Sequence, residues 1–336
     1  MKVNPLAVSC LLPGLLLLAG CQGMDKDLPE RGEVSFSILG TDTRTTSTDG
    51  ESNVDHWTLL LYRNGKLADV GTSDSKASIR RTLDAGTYTA YAVANPPSSF
   101  RPERFTTLTK LSAAESSLGD NAPGRLVMAG KRTITVPVAN NRPQTISVDR
   151  LVSKVGIQKI STAFASSPLS SRTFLLKAIY LTNCYAKSRL GSDLDESGLV
   201  ADASCWYNRM RFSSDGSVNA LLSDRSIDTE ITASVPYRQA HYYYCYPNPA
   251  VQDSRSGDWS IRHTRLVLEA EIDGKTYYYP VTLPQMQRNK TYFVEEAIIR
   301  NLGSLDPEMD EPGSIEVVFR TDTDAWDPEY TVQENS

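Results

Sequence analysis

The chain has 336 residues, 40% hydrophobic and 22% charged, which excludes wholesale disorder and leaves room for two domains or one large one. Thirty-five Lys and Arg against 40 Asp and Glu give a formal net charge of −5, without the basic footprint of a general nucleic-acid binder. Only three histidines occur, His56, His241 and His263, which leaves little material for histidine-based metal or triad chemistry.

The N-terminus carries the strongest single signal. Lys2 precedes an apolar stretch from Leu6 to Gly20, interrupted by Pro13 and Gly14. That stretch is shorter than the roughly 20 residues a spanning helix needs. A positive start, a short apolar core and small residues at the end read as a secretory signal over residues 1–20. Leu18-Ala19-Gly20-Cys21 looks like a bacterial lipobox, with cleavage before Cys21 and a lipid on its thiol. The alternative is an ordinary signal peptide with a cysteine close by. More than one acyl chain anchors stably where a single chain does not. Residues 21–31 then read as a polar tether, and no later segment is apolar and long enough to span a bilayer.

Past the tether, short alternating segments dominate. Val34, Phe36 and Ile38 alternate with Ser35 and Ser37, the period of a half-buried strand. Residues 40–53 are polar and read as an exposed loop. A strand is predicted over Trp57 to Tyr62, followed by a hairpin turn at Asn64-Gly65. Another runs from Thr87 to Ala94 and stops at Asn95-Pro96-Pro97. Thr106 to Leu118 is the best helix candidate, with Leu108, Leu111 and Leu118 as its apolar positions. Further strands are expected at 126–128, 133–138 and 145–148.

A second half is expected to begin near Arg150. Leu151 to Ile160 and Phe174 to Thr182 read as strands, and residues 187–234 as an insertion or extended loop. Leu266 to Ile272, Asp273-Gly274 and Thr276 to Leu283 form a hairpin. Strands at 292–299 and 315–319 complete the pattern. Short strands at regular spacing predict an all-β chain of β-sandwiches with one or two short helices.

Candidate chemistry is sparse. No G-x-S-x-G, P-loop or H-E-x-x-H motif occurs, so no nucleophile and base pair can be named and no enzyme or cofactor is expected. Residues Asp193 to Gly198 resemble half a calcium loop, but its twelfth position is Ser204 where a bidentate Glu is needed. Cys184, Cys205 and Cys245 are widely spaced, an odd number, and fit buried or partly paired structural thiols better than the ligand set of zinc. No metal site is expected. Arg80-Arg81 is too small a basic patch for nucleic acid. Tyr242, Tyr243, Tyr244 and Tyr246 could form a sugar-stacking platform, although structural burial is the commoner fate of such a run.

Several segments together resemble the fimbrillin superfamily, the type V pilins of Bacteroidia. They are the lipobox Cys21, Gly32 to Leu39, the polar loop with Arg44, and Trp57 to Leu67. Ala85 to Asn95 is similar to the family's A-G…A-N signature. Arg125 to Val136, Asp149 to Ile160 and Arg288 to Ile299 follow in the family's order, the last as its R-N-x-x-Y strand. Residues 187–258 do not align. The resemblance implies two tandem transthyretin-like β-sandwich domains, residues 32–149 and 150–336. It implies an outer-membrane lipoprotein that becomes a subunit of a cell-surface fimbrium serving adhesion. Its maturation would cut between Arg44 and Thr45, with Arg31 as the other available site, and release the lipid with a first strand at residues 33–39. A C-terminal donor segment within 315–333, carrying Ile315, Val317, Phe319, Tyr330 and Val332, would then fill the vacated slot of another subunit.

Elementary physics supports such an exchange. Losing a strand exposes unpaired N–H and C=O groups beside the apolar slot once filled by Val34, Phe36 and Ile38. An incoming strand supplies backbone bonds for affinity and alternate side chains for register. A head-to-tail contact of this kind does not close, so it grows a filament of pilin subunits. The other reading of the sequence is a monomeric or basal-anchor lipoprotein that binds glycan or protein. The receptor is unidentified on either reading.

Overall fold

The alternation read from sequence becomes strand after strand in the computed structural model, which describes residues 31–40, 51–137, 143–165, 167–191, 202–211, 219–253 and 260–322. In chain order the strands are β1 (Arg31–Gly40), β2 (Trp57–Arg63), β3 (Lys66–Ser73), β4 (Ile79–Asp84), β5 (Gly86–Ala94), β6 (Glu115–Ser117), β7 (Met128–Val136) and β8 (Gln144–Arg150). They continue as β9 (Ser153–Ile157), β10 (Ile160–Thr162), β11 (Phe174–Thr182), β12 (Cys184–Tyr185), β13 (Lys187–Arg189), β14 (Trp206–Tyr207) and β15 (Ser223–Ile231). The last are β16 (His241–Cys245), β17 (Arg265–Ile272), β18 (Lys275–Thr282), β19 (Thr291–Ile299) and β20 (Ile315–Asp322). Among the described residues, three short α-helices, α1 (Leu108–Ser112), α2 (Ser167–Ser170) and α3 (Asn219–Leu222), and three 3-10 turns connect the strands. No described helix is long and apolar enough to cross a membrane.

The first seven-stranded sheet runs β3-β2-β5-β7-β8-β1-β4. β7 and β8 pair only at Met128–Arg150 and Ala129–Asp149, so the sheet turns a corner there and folds into two layers. Gly130 sits at that corner, where an added Cβ would lie 1.8 Å from the Ser147 carbonyl oxygen. Between the layers Val34 and Phe36 of β1 pack with Trp57, Leu59, Leu61, Ala90 and Ile134. Leu60 and Tyr62, on the opposite face of β2, join a second core shared with the rest of the chain. Burial on both faces is why residues 57–62 read as a nearly unbroken apolar run rather than an alternating one.

The second half forms two facing sheets. One has the order β10-β19-β9-β16 with β20 on the free flank of β19, and the other runs β15-β11-β17-β18. A register shift in β11 between Leu176 and Ala178 keeps Phe174, Leu176, Ile179 and Leu181 in the shared core, while Ala178 and Tyr180 face outward against Val267. One edge of the sandwich is fastened by side chains. His241 on β16 places Nε2 2.7 Å from the Tyr237 hydroxyl and Nδ1 2.5 Å from Asp224 on β15. The His241 hydrogen bond, reinforced by Tyr243, holds the Asp224 carboxyl below its ordinary range against the opposing effect of burial. A carboxyl depressed in the folded state stabilises it above the unfolded value, and that contribution is lost as pH falls through the acid range.

Turn chemistry follows the sequence. Asn64-Gly65 and Asp273-Gly274 both have left-handed φ at each residue, 51° and 74° in the first and 52° and 73° in the second, as a type I′ hairpin needs.

Three expectations need correction. The helix predicted over Thr106 to Leu118 exists only as the single turn α1, capped by Thr107 Oγ1, which accepts from Lys110 N at 3.3 Å. Residues 115–117 leave the helix to pair with β13, while Leu111 and Leu118 still bury fully. Tertiary pairing here outweighs apolar spacing. The region 187–234 is not simply a loop, because its last nine residues before Thr232 form β15, an edge strand on β11. The charged residues of β15 (Asp224, Arg225, Asp228, Glu230) mark a guarded sheet edge. The single strand read over Leu151 to Ile160 is two, β9 and β10, both pairing parallel to β19.

Gly130→Ala is expected to destabilise the chain by about 3 kcal/mol, because the obstacle is backbone and cannot rotate away. Gly119→Ala, which meets only Ser117 Oγ at 4.0 Å, should leave the calorimetric midpoint almost unchanged.

Candidate functional site

β1 is held on both sides. Residues Arg31 to Phe36 pair antiparallel with Asp84 to Ile79 of β4, and Phe36 to Gly40 pair parallel with Gln144 to Val148 of β8. The two ladders overlap only at Phe36, which is 0% exposed. Val34 is also buried and Ile38 packs half-buried against the same core. Burying each such side chain contributes about 1.5–3 kcal/mol. The polar additions are minor: Ser37 Oγ lies 3.1 Å from Thr145 Oγ1, and the Arg31–Asp84 ion pair at 3.0 Å is too exposed to contribute much. β1 is therefore a plug, retained by apolar side chains and by hydrogen bonds to two strands distant in sequence.

The chain re-enters the described structure at Glu51, and there it is moored. Glu51 is 5% exposed. Its carboxylate takes the Tyr244 hydroxyl proton as a hydrogen bond and an ion pair from Lys154 Nζ at 2.8 Å. Its carbonyl accepts from Arg150 Nε at 3.1 Å. Arg150 continues to Asn289 Oδ1 at 3.2 Å, and Asn289 Nδ2 donates to Asp149 at 3.3 Å. Asn95, fully buried with φ of 48°, adds a second mooring. Its side chain donates to Asn53 O at 2.8 Å and Leu126 O at 3.0 Å and accepts from Asp55 N at 2.9 Å. The asparagines of the A-G…A-N and R-N-x-x-Y segments thus both serve this junction. Sequence reasoning missed Glu51, Lys154 and Arg150 as partners; nothing local marks them, since they meet only through the fold.

The C-terminal segment is placed elsewhere. β20 pairs antiparallel with β19 of its own chain, from Ile315 opposite Ile299 to Asp322 opposite Thr291. Ile315 and Val317 pack half-buried against the shared core, whereas Phe319 is 36% exposed. β1 and β20 lie in different sheets and are not brought together. Cys21, Arg44, Thr45, Tyr330 and Val332 lie outside the described residues, as do Asp193 to Gly198.

The tyrosine platform is corrected by burial. Tyr243, Tyr244 and Tyr246 are buried, because β16 is an inner-packed strand whose hydroxyls are consumed internally. Tyr243 bonds Ile179 O and Asp224, Tyr244 bonds Glu51, and Tyr246 bonds Ser116, Asn121 and Ser117. Only Tyr242 is exposed, at 38%, stacked on Phe293 with Lys154 4.4 Å from its ring centre. One ring is not a platform. Cys184 and Cys245 are fully buried free thiols whose side chains contact each other, and burial raises the Cys184 thiol well above its usual range. Among the described residues no group of three His, Cys, Asp or Glu could hold a metal ion.

The geometry thus defines a class: a two-sandwich β protein whose first strand is a plug seated between strands from later in the chain. Residues 33–156 match the sequence profile of the family described as Major fimbrial subunit protein (FimA), and the resemblance to the fimbrillin superfamily holds. Solved structures share the fold over nearly the whole described chain. A candidate cell-adhesion protein of Bacteroides eggerthii matches with TM-score 0.64 at 18% identity, covering 87% of this chain and 96% of its own. A fimbrilin (FimA) of Porphyromonas gingivalis matches with TM-score 0.58 at 15% identity, covering 86% and 96%. The tip fimbrial protein Mfa3 of Porphyromonas gingivalis, truncated at its C-terminus, matches with TM-score 0.52 at 13% identity, covering 88% and 100%. No curated protein matches the chain.

Glu51→Gln should cost about 3 kcal/mol by breaking the buried Glu51–Lys154 ion pair, read by chemical denaturation. Adding Lys154→Met should recover much of that loss if the charge, rather than the packing, is the cause.

Proposed function

We propose that this protein is a structural subunit of a cell-surface fimbrium, made as an outer-membrane lipoprotein on Cys21 and polymerised by exchange of its first strand. The observation that carries the reading is the separability of β1. It is one strand, inserted between β4 and β8, attached to the body through residues 41–50. A cut after Arg44 would free the plug, while the moorings at Glu51 and Asn95 keep the new end of the body in place. Loss of β1 would open one continuous slot with unpaired backbone groups on β4 and β8 and apolar walls at the sites of Val34 and Phe36. The C-terminal segment, with alternate Ile315, Val317 and Phe319 and the further Tyr330 and Val332, is the donor for the next subunit. Because β20 is docked on β19, donation requires it to detach from its own sheet. That docking is also what a basal anchor or a monomeric lipoprotein would retain, and it is the reason to keep that second reading.

Digestion of the full chain with an Arg-specific protease should give a body starting at Thr45, by intact mass, and growth of SDS-resistant ladders. Arg44→Ala should block both. A cut body that stays monomeric would favour the anchor reading, and a chain left uncut at Arg44 would remove the maturation site assigned to it.

A further inference from the structure

β4 has one backbone partner among the described residues. All six of its residues are in register with β1, and on its other flank stands β3, the opposite end of the same sheet, without a ladder between them. When β1 leaves, β4 loses its backbone ladder and becomes a wall held by side chains alone. Yet the first half of the slot has β4 as its hydrogen-bonding edge.

Besides the Tyr88 hydroxyl of β5, which donates to Asp84 O at 3.0 Å at the end of β4, two side-chain attachments near its start and middle do not involve β1. Arg81 reaches across to β3, where Nη2 donates to Val70 O at 2.8 Å and Nε lies 3.1 Å from Asp69 Oδ2. Trp57, fully buried on β2, donates its indole N–H to Ala77 O at 3.1 Å, two residues before β4 begins. Gly71 makes room for the first of these. A Cβ there would lie 2.5 Å from Arg81 Nη2 and 2.7 Å from Ile79 Cγ2.

We infer that Arg81 is a positioning residue that fastens β4 to β3 after β1 has gone, so that the emptied slot keeps both walls for an incoming strand. The inference rests on the exchange reading above and adds the residue that preserves the acceptor. The guanidinium suits the task because its planar fork reaches a carbonyl and a carboxylate at once. In the intact chain this half-exposed pair contributes little, since the β1 ladder already holds β4. In the emptied chain it becomes the polar link that ties the middle of β4 to β3, while Tyr88 holds only the last residue of β4.

The test uses the full chain with a specific protease site inserted within residues 41–50, so that cutting does not depend on Arg44. After the cut, β1 is displaced in mild denaturant and removed. Two quantities are then read: rebinding of a labelled peptide of residues 31–40, and hydrogen exchange of the Trp57 indole. Before cutting, Arg81→Gln should melt close to the parent. After emptying, it should bind the peptide about tenfold more weakly, the scale of one lost charge-assisted hydrogen bond, and expose the Trp57 indole to faster exchange. Arg81→Lys should restore little, as an ammonium cannot make both contacts. Equal peptide affinity and equal indole exchange in parent and Arg81→Gln would overturn the inference. An emptied parent chain that rebinds residues 31–40 but not a peptide of residues 315–333 would instead remove the donor assignment, while the Arg81 comparison would still decide the clamp.

Discussion

The seating of Phe36 between two strands that meet nowhere else organises the N-terminal half. β4 and β8 are separated by some 60 residues of sequence, and only β1 bridges them, antiparallel to one and parallel to the other. The apolar row Val34, Phe36, Ile38 completes a core whose other wall is Trp57, Leu59 and Leu61. Every feature around this plug follows from its being both necessary to the core and nearly free of polar attachment. Apolar contacts and a backbone ladder can be given up to any strand of matching period, whereas a buried salt bridge would have tied the site to one sequence.

The polar networks lie beside the plug. Glu51, Lys154, Tyr244, Arg150 and Asn289 link the re-entry point of the chain to β8, β9, β16 and the start of β19. The same division appears further along. Glu308 is almost wholly buried and accepts from Thr182 Oγ1 at 3.1 Å, Asn183 Nδ2 at 2.9 Å and Arg265 Nη1 at 3.1 Å, fixing the segment that precedes β20. Asp253 pairs with that same arginine. Burial alone would raise its carboxyl, but Arg265 and the His263 backbone N–H bring it down to about 2. Specific hydrogen bonds thus fix the segments flanking β1 and β20, and apolar periodicity marks the two strands themselves.

Much of this was legible beforehand because it is local. The period-two pattern of residues 34–38, the Asn-Gly and Asp-Gly turns and the β-rich run from Thr87 to Ala94 each carry their structure within a few residues. The helix at 106–118 misread three leucines whose burial is satisfied by a turn followed by a strand. β4 escaped notice because its apolar positions, Ile79 and Leu83, are interrupted by Arg80-Arg81, which reads as charge rather than as a wall. The tyrosine run at 242–246 leaves a surface platform and burial both open in the sequence, and the fold decides for burial at three of them through partners far along the chain, such as Ile179, Glu51 and Asn121. The mooring at Glu51 is the extreme case, since its tyrosine partner lies 193 residues away.

The ten residues between Gly40 and Glu51 have a thermodynamic consequence of their own. While that connection is whole, β1 competes for its slot as part of the same molecule, at an effective concentration of order millimolar. Severing it leaves the β4 and β8 ladders of β1 unchanged but converts retention into a bimolecular equilibrium governed by dilution. A strand with several buried apolar residues therefore need not bind weakly to be replaceable. One covalent break changes the reference state, and a competitor delivered at high local density then has the advantage that the original strand has lost.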